Sequence, residues 1–271
     1  MKIRGATMEK PILTIKNLSK RFEQKLVLDG INLSINRGEI IGYIGPNGAG
    51  KSTTVKIILG LISDYEGEMT IFGEQIKPGD FEYKRRIGYV PESADLYENL
   101  TGREYLTFMG QMYGIEEELL EKKAIHLVDS LGIRSAFDQR ISSYSKGMKQ
   151  KLLIAASIIH NPDILFLDEP LNGLDANSVM VMKSLFEKLS SKGKTIFYSS
   201  HIMDVVEKIS NRIILLNRGK VIADRSFDQL QEEATGSLEQ VFNQLTGFHD
   251  QEAIAERMIA IIEAGGSDER L

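Results

Sequence analysis

The sequence has no cysteine, which excludes disulfides, a thiol nucleophile and any metal site built on thiolates. No window approaches the roughly 18 consecutive apolar residues of a membrane-spanning helix. The longest apolar stretches, such as LLIAASIIH at 152–160, are core-sized. The N-terminal stretch MKIRGATMEKPIL lacks the apolar centre of a secretion signal, so the expectation is a chain soluble on its own. Basic excess is missing too: 33 Lys and Arg stand against 38 Asp and Glu, a formal charge of −5. A large nucleic-acid footprint usually shows as a basic domain, so no nucleic-acid partner is expected. Neither an internal repeat nor a low-complexity segment is visible. What is present is 271 residues with 42% apolar content, enough for a sizeable core. That length suits one large domain, with or without an inserted lobe and a tail.

Short β-rich runs dominate the first ninety residues: ILTIKNL, LVLDGINLSI, EIIGYIG, EMTIFG and RRIGYV. A single helix interrupts them at 51–62, with Val55, Ile58, Leu59 and Ile62 at helical spacing. From 101 to about 160 the pattern is helical. Strands and helices then alternate through DILFLDEP, NSVMVMKSLFEKLSSKG, KTIFYSSH, IMDVVEKIS and RIILLNRG. Such alternation predicts a parallel sheet covered by helices, an α/β core split by a helical insert at roughly 93–150. The last forty residues lose the strands. There Ile254, Met258, Ile261 and Ile262 form one stripe that Gly265 and Gly266 end. The stripe reads as a tail helix packing on its own domain, or as a contact with a partner.

Three stretches carry chemistry. In GPNGAGKST (45–53) a strand runs into a glycine loop and then a helix. Gly45, Gly48 and Gly50 allow backbone N–H groups to face phosphate oxygens above a helix N-terminus. Lys51 is placed to reach the β- and γ-phosphates, and Ser52 to ligate magnesium. In ILFLDEP (164–170) an apolar strand ends in Asp168, suited to hold Mg²⁺, and Glu169, suited to polarise an attacking water as general base. In YSKGMKQK (144–151) Ser145 and Gly147 precede a helix, either facing an anion or forming an ordinary helix cap.

In this order these stretches resemble the nucleotide-binding subunit of an ATP-binding cassette (ABC) transporter, over roughly 12–245. GPNGAGKST resembles its Walker A motif, YSKGMKQ its signature, ILFLDE its Walker B, NGLD its D-loop and SSH its switch histidine. The resemblance implies a P-loop NTPase core with an antiparallel β subdomain and an inserted helical subdomain, in a domain spanning 8–230. A helical tail follows at 231–271. It implies ATP and Mg²⁺ as ligands, and two cassettes head to tail, each ATP held by one chain's Walker A loop and the other's signature. Gly45, Pro46, Asn47, Gly48, Ala49, Gly50, Lys51, Ser52 and Thr53 then bind phosphate, with Ser145 and Gly147 across the dimer. Phe22 stacks on adenine, Asp175 links the two sites unless it is a plain helix cap, and His201 meets the γ-phosphate.

Departures are visible as well. Glu92 stands where the family usually has Gln, which suits a metal-binding or coupling role. Tyr144, Lys146 and Met148 replace Leu, Gly and Gln of the common signature. With the tail, these variants resemble exporter-type (ABC-2-like) single-cassette subunits. Such subunits sit peripherally on the cytoplasmic side of the cell membrane and pair with separate permeases, as homo- or heterodimers. Lys51 and Ser145 lie too close in sequence for the long coiled coil of repair cassettes. A soluble ABC-type ATPase in cofactor or cluster assembly is the alternative.

Overall fold

Ten strands and nine α-helices are present among the described residues, 10–92, 96–200, 203–233, 237–246 and 251–264 of the computed structural model. The chain begins with an antiparallel hairpin, β1 (Leu13–Phe22) and β2 (Lys25–Ile35). Its inward positions alternate with exposed ones, the two-residue period of a half-buried sheet. Then come β3 (Ile40–Ile44), α1 (Lys51–Ile58), β4 (Glu66–Ile71) and the short β5 (Glu74–Gln75). The strands β2, β1, β4 and β5, in that order, form a four-stranded sheet. Next are β6 (Ile87–Val90), α2 (Gly102–Met112), α3 (Glu117–Ser130) and α4 (Lys146–Ile158). The remaining elements of the larger sheet and its cover are β7 (Ile164–Asp168), α5 (Ala176–Ser191), β8 (Thr195–Ser199), α6 (Met203–Ile209), β9 (Arg212–Asn217) and β10 (Lys220–Arg225).

The larger sheet has the order β10-β9-β3-β8-β7-β6. All its neighbours pair in parallel except β9 with β10. Every residue of β3, β7 and β8 is buried, as expected for strands covered on both faces. Their rings interlock: Tyr43 and Phe197 lie 4.9 Å apart, and Phe166 and Phe197 5.4 Å. The Tyr43 hydroxyl meets Thr54 Oγ1 at 3.1 Å, tying β3 to α1, and burial pushes that phenol well above its ordinary pKa.

The helical segment expected between the strands is α2, α3 and α4, and α4 runs beyond 150 to Ile158. A capping box opens α2. Thr101 accepts the Glu104 N–H at 3.1 Å and donates its own N–H to Glu104 Oε2 at 2.7 Å. Arg103 clamps the segment by donating to Asp138 at 2.6 Å and to Glu121, its guanidinium over the Phe137 ring.

The fold divides into two compact units at Ser226 and Phe227. The second holds α7 (Phe227–Glu233), α8 (Leu238–Thr246) and α9 (Gln251–Ala264). On α9, Ile254, Met258, Ile261 and Ile262 are exposed. Gly265 and Gly266 lie outside the described residues.

Candidate nucleotide site

The loop after β3 is shaped by close packing and left-handed backbone at its glycines. Gly50, the N-cap of α1, has φ 109, and a Cβ there would lie 2.5 Å from Leu28 Cδ2. A Cβ on Gly45 would lie 2.2 Å from the Leu216 carbonyl oxygen. The loop therefore packs its backbone directly on β2 and β9. Its N–H groups precede α1, whose first turn carries no acidic residue to oppose an anion. Lys51 folds back over the loop and donates to Gly45 O at 2.7 Å and Pro46 O at 3.4 Å.

A cleft of about 690 Å³ opens beside this loop. Asn47, Gly48, Ala49, Gly50, Lys51, Ser52 and Thr53 line it, with Phe22, Lys25 and Val27 from the hairpin and Glu92, Asp168 and Glu169 opposite. Desolvation lowers the Lys51 pKa, while Glu169, Asp168 and Glu92 act against that shift. A cation thus faces three carboxylates across a pocket with room for a phosphate chain. Gly45 and Pro46 do not line the cleft; their carbonyls hold the lysine.

The two acids are set by the sheet. Asp168 ends β7 opposite Ser199 at the end of β8. Ser199 Oγ donates to Asp168 Oδ1, and Ser200 Oγ donates to Glu169 Oε2 at 3.3 Å. Glu169 has left β7 with φ 49, a left-handed conformation disfavoured for this residue, and its N–H donates to Ser199 O at 3.1 Å. Both carboxylates are buried, at 4% and 7% exposure, so each depends on such partners. In SSH the resemblance points to His201, which lies outside the described residues. The two serines before it are the functional candidates that sequence reasoning missed. Only the β7–β8 adjacency reveals them.

Ser145, Gly147 and Asp175 do not line the cleft. Ser145 is exposed and caps α4 by accepting the Met148 N–H at 3.2 Å. Asp175 caps α5, accepting from Ser178 N at 2.9 Å and Ser178 Oγ at 2.6 Å, and these bonds hold its carboxyl below the usual range. The two caps are joined. A Cβ on Gly147 would lie 2.8 Å from Gly173 O, the Lys146 stem lies beside Gly173, and Lys151 reaches Asp175 at 3.8 Å. Behind them the buried Gln150 donates to Pro170 O at 3.0 Å, one residue after Glu169.

A parallel sheet with a glycine phosphate loop and an Asp-Glu pair on a nearby strand defines a P-loop ATPase. The chain belongs to the ABC transporter family, whose profile matches residues 28–172. Within that family it is an ATP-binding, ATP-hydrolysing transporter subunit. It is 36% identical over 212 residues to the linearmycin resistance ATP-binding protein LnrL of Bacillus subtilis, covering 78% of this chain and 68% of that one. NatA, an ABC transporter ATP-binding protein of the same organism, is 33% identical, covering 85% and 96%. The bacitracin transport ATP-binding protein BcrA of Bacillus licheniformis is 35% identical, covering 84% and 74%. A solved ATP-binding subunit of an ABC transporter superposes with TM-score 0.81 at 31% identity, covering 87% of this chain and 99% of that one. These matches support the transporter subunit and not the cluster-assembly alternative.

Proposed function

We propose that two copies of this cassette, or this cassette and a similar one, close head to tail on ATP and power export through a separate membrane permease. One observation carries the reading. The cation, the glycine loop and the acids converge on one cleft, while Ser145 and Gly147, the second anion-friendly turn, stand outside it. On this reading one chain offers two half-sites that complete each other across a dimer. Within the cleft, the loop N–H groups and Lys51 grip the β- and γ-phosphates. Glu169, oriented by Ser200, accepts a proton from the attacking water. His201 joins them at the γ-phosphate by resemblance.

Ser52 and Asp168, with Glu92 nearby, are an all-oxygen donor set that fits Mg²⁺. When bound, the ion supplies neutralisation of phosphate charge. The Ser199 hydroxyl fixes the Asp168 carboxylate for that role.

Export is supported by relatives whose names record linearmycin resistance and bacitracin and lantibiotic transport. No described helix is long and apolar enough to cross a membrane. Likeness to transporter ATP-binding subunits supports a permease on a separate chain and a cassette sitting peripherally on the cytoplasmic side. A second, apolar cleft of about 290 Å³ lies among Leu59, Leu61, Tyr89, Tyr105, Met109 and Tyr113. It suits a short permease helix; the stretch Glu92 to Leu100, of which 93–95 lie outside the described residues, is the expected contact.

Glu169→Gln tests the reading. ATP should still bind, hydrolysis should fall by about 10²–10⁴-fold, and size-exclusion chromatography with ATP should show a stable dimer. Near wild-type hydrolysis would remove Glu169 as the base.

A further inference from the structure

We propose that Lys20, tethered by Asp64, positions the Phe22 ring against the nucleotide base and so sets the affinity for the base rather than for the phosphates. The proposal rests on the reading of Phe22 as the base platform.

Phe22 is the last residue of β1, paired with Lys25 across a tight hairpin turn, and Glu23 in that turn has φ 50. Its ring lines the cleft and is 44% exposed. At the hairpin tip the ring is partly exposed, and Lys20 Nζ lies 4.8 Å from its centroid. Lysines are almost never buried unless paired, yet Lys20 is 6% exposed. Its ammonium donates to Asp64 Oδ2 at 3.0 Å.

The arrangement has a directional logic. An ammonium over one face of the ring leaves the other face for a stacked base. A desolvated cation over an aromatic face is also attracted more strongly than an exposed one. Asp64 supplies the tether from the segment between α1 and β4. It therefore ties the hairpin to the chain leaving the helix that opens with Lys51 and Ser52. The pair joins the two segments at the surface, since the Asp64 side chain is 98% exposed.

The test compares binding of ATP and of inorganic tripolyphosphate by calorimetry. Lys20→Met keeps the apolar stem and removes the charge. It should weaken ATP by about 3- to 10-fold, the effect of one desolvated cation–ring contact, and leave tripolyphosphate unchanged. Asp64→Asn, at an exposed position, should weaken ATP in the same selective way and carries the test should Lys20→Met fail to fold. Lys20→Arg should restore ATP affinity. Equal weakening of both ligands would assign Lys20 a structural role and overturn the proposal, as would unchanged ATP affinity in Asp64→Asn and Lys20→Met. Phe22→Ala separates the two readings. If it weakens ATP selectively while the Lys20 and Asp64 variants do not, the platform stands and the tether falls. If Phe22→Ala leaves the ATP-to-tripolyphosphate ratio unchanged, the platform itself fails and takes the tether with it.

Discussion

Glu169 sits at φ 49 with its carboxylate buried beside Asp168, a conformation and a surrounding that both cost stability. A left-handed backbone disfavours Glu by about 1–2 kcal/mol, and Asn tolerates it better. Glu169→Asn should therefore raise the unfolding midpoint, by about 2–4 °C per kcal/mol recovered, while hydrolysis is lost. Thermal unfolding with and without ATP measures this, and a lowered midpoint would show that Glu169 is stabilising where it stands. The neighbouring serine gives the complementary experiment. Ser200→Ala removes a hydroxyl that donates to Glu169, and a hydrogen bond to a charged group is worth about a tenfold effect or more. The kcat should fall about tenfold at unchanged KM for ATP, and Ser200→Thr should restore it. A change confined to KM would place Ser200 in binding instead.

Among the elements, β3 and β7 were readable because burial on both faces leaves a continuous apolar run, IIGYI and ILFLD. The edge strand β10, KVIADR, was not read: it is half-exposed and mixes charge with apolar residues. Helix α1 stops at Ile58 rather than 62 because Leu59 caps it and Gly60 turns left-handed at φ 63. The strand–glycine loop–helix around 45–53 was legible from local chemistry alone. The contacts of Ser199, Ser200 and Lys20 were not, because they follow from sheet order and from a partner far along the chain, Asp64. The helical segment yields its own prediction. Tyr97 is exposed and packs edge-on against Phe108, with ring centroids 6.1 Å apart. If this surface meets the permease, Tyr97→Ala should abolish transport in vesicles while leaving basal ATPase activity within about twofold, the range of a surface change with little effect on stability. Parallel loss of both activities would give the stretch a folding role.

At the scale of the whole molecule, the central claim is that the signature turn serves the nucleotide of another chain. Within its own chain Ser145 is a helix cap joined through Gly147, Gly173 and Asp175 to the loop that follows Glu169. That linkage leaves the turn exposed and connects it to the segment that follows Glu169, the proposed base. Lys51→Ala removes the cation proposed to grip the triphosphate, and Ser145→Arg places a bulky side chain where the partner chain's γ-phosphate is proposed to lie. Each variant should be inactive as a homodimer. In a verified mixed dimer, one site carries both lesions. The other combines an intact phosphate loop with an intact signature. The decisive measurement is ATP hydrolysis by that mixed dimer, with the permease present, beside a wild-type/Lys51→Ala heterodimer that shows whether one whole site suffices. The account predicts restored hydrolysis on mixing two inactive proteins. A mixed dimer that stays inactive while the control heterodimer turns over would contradict it.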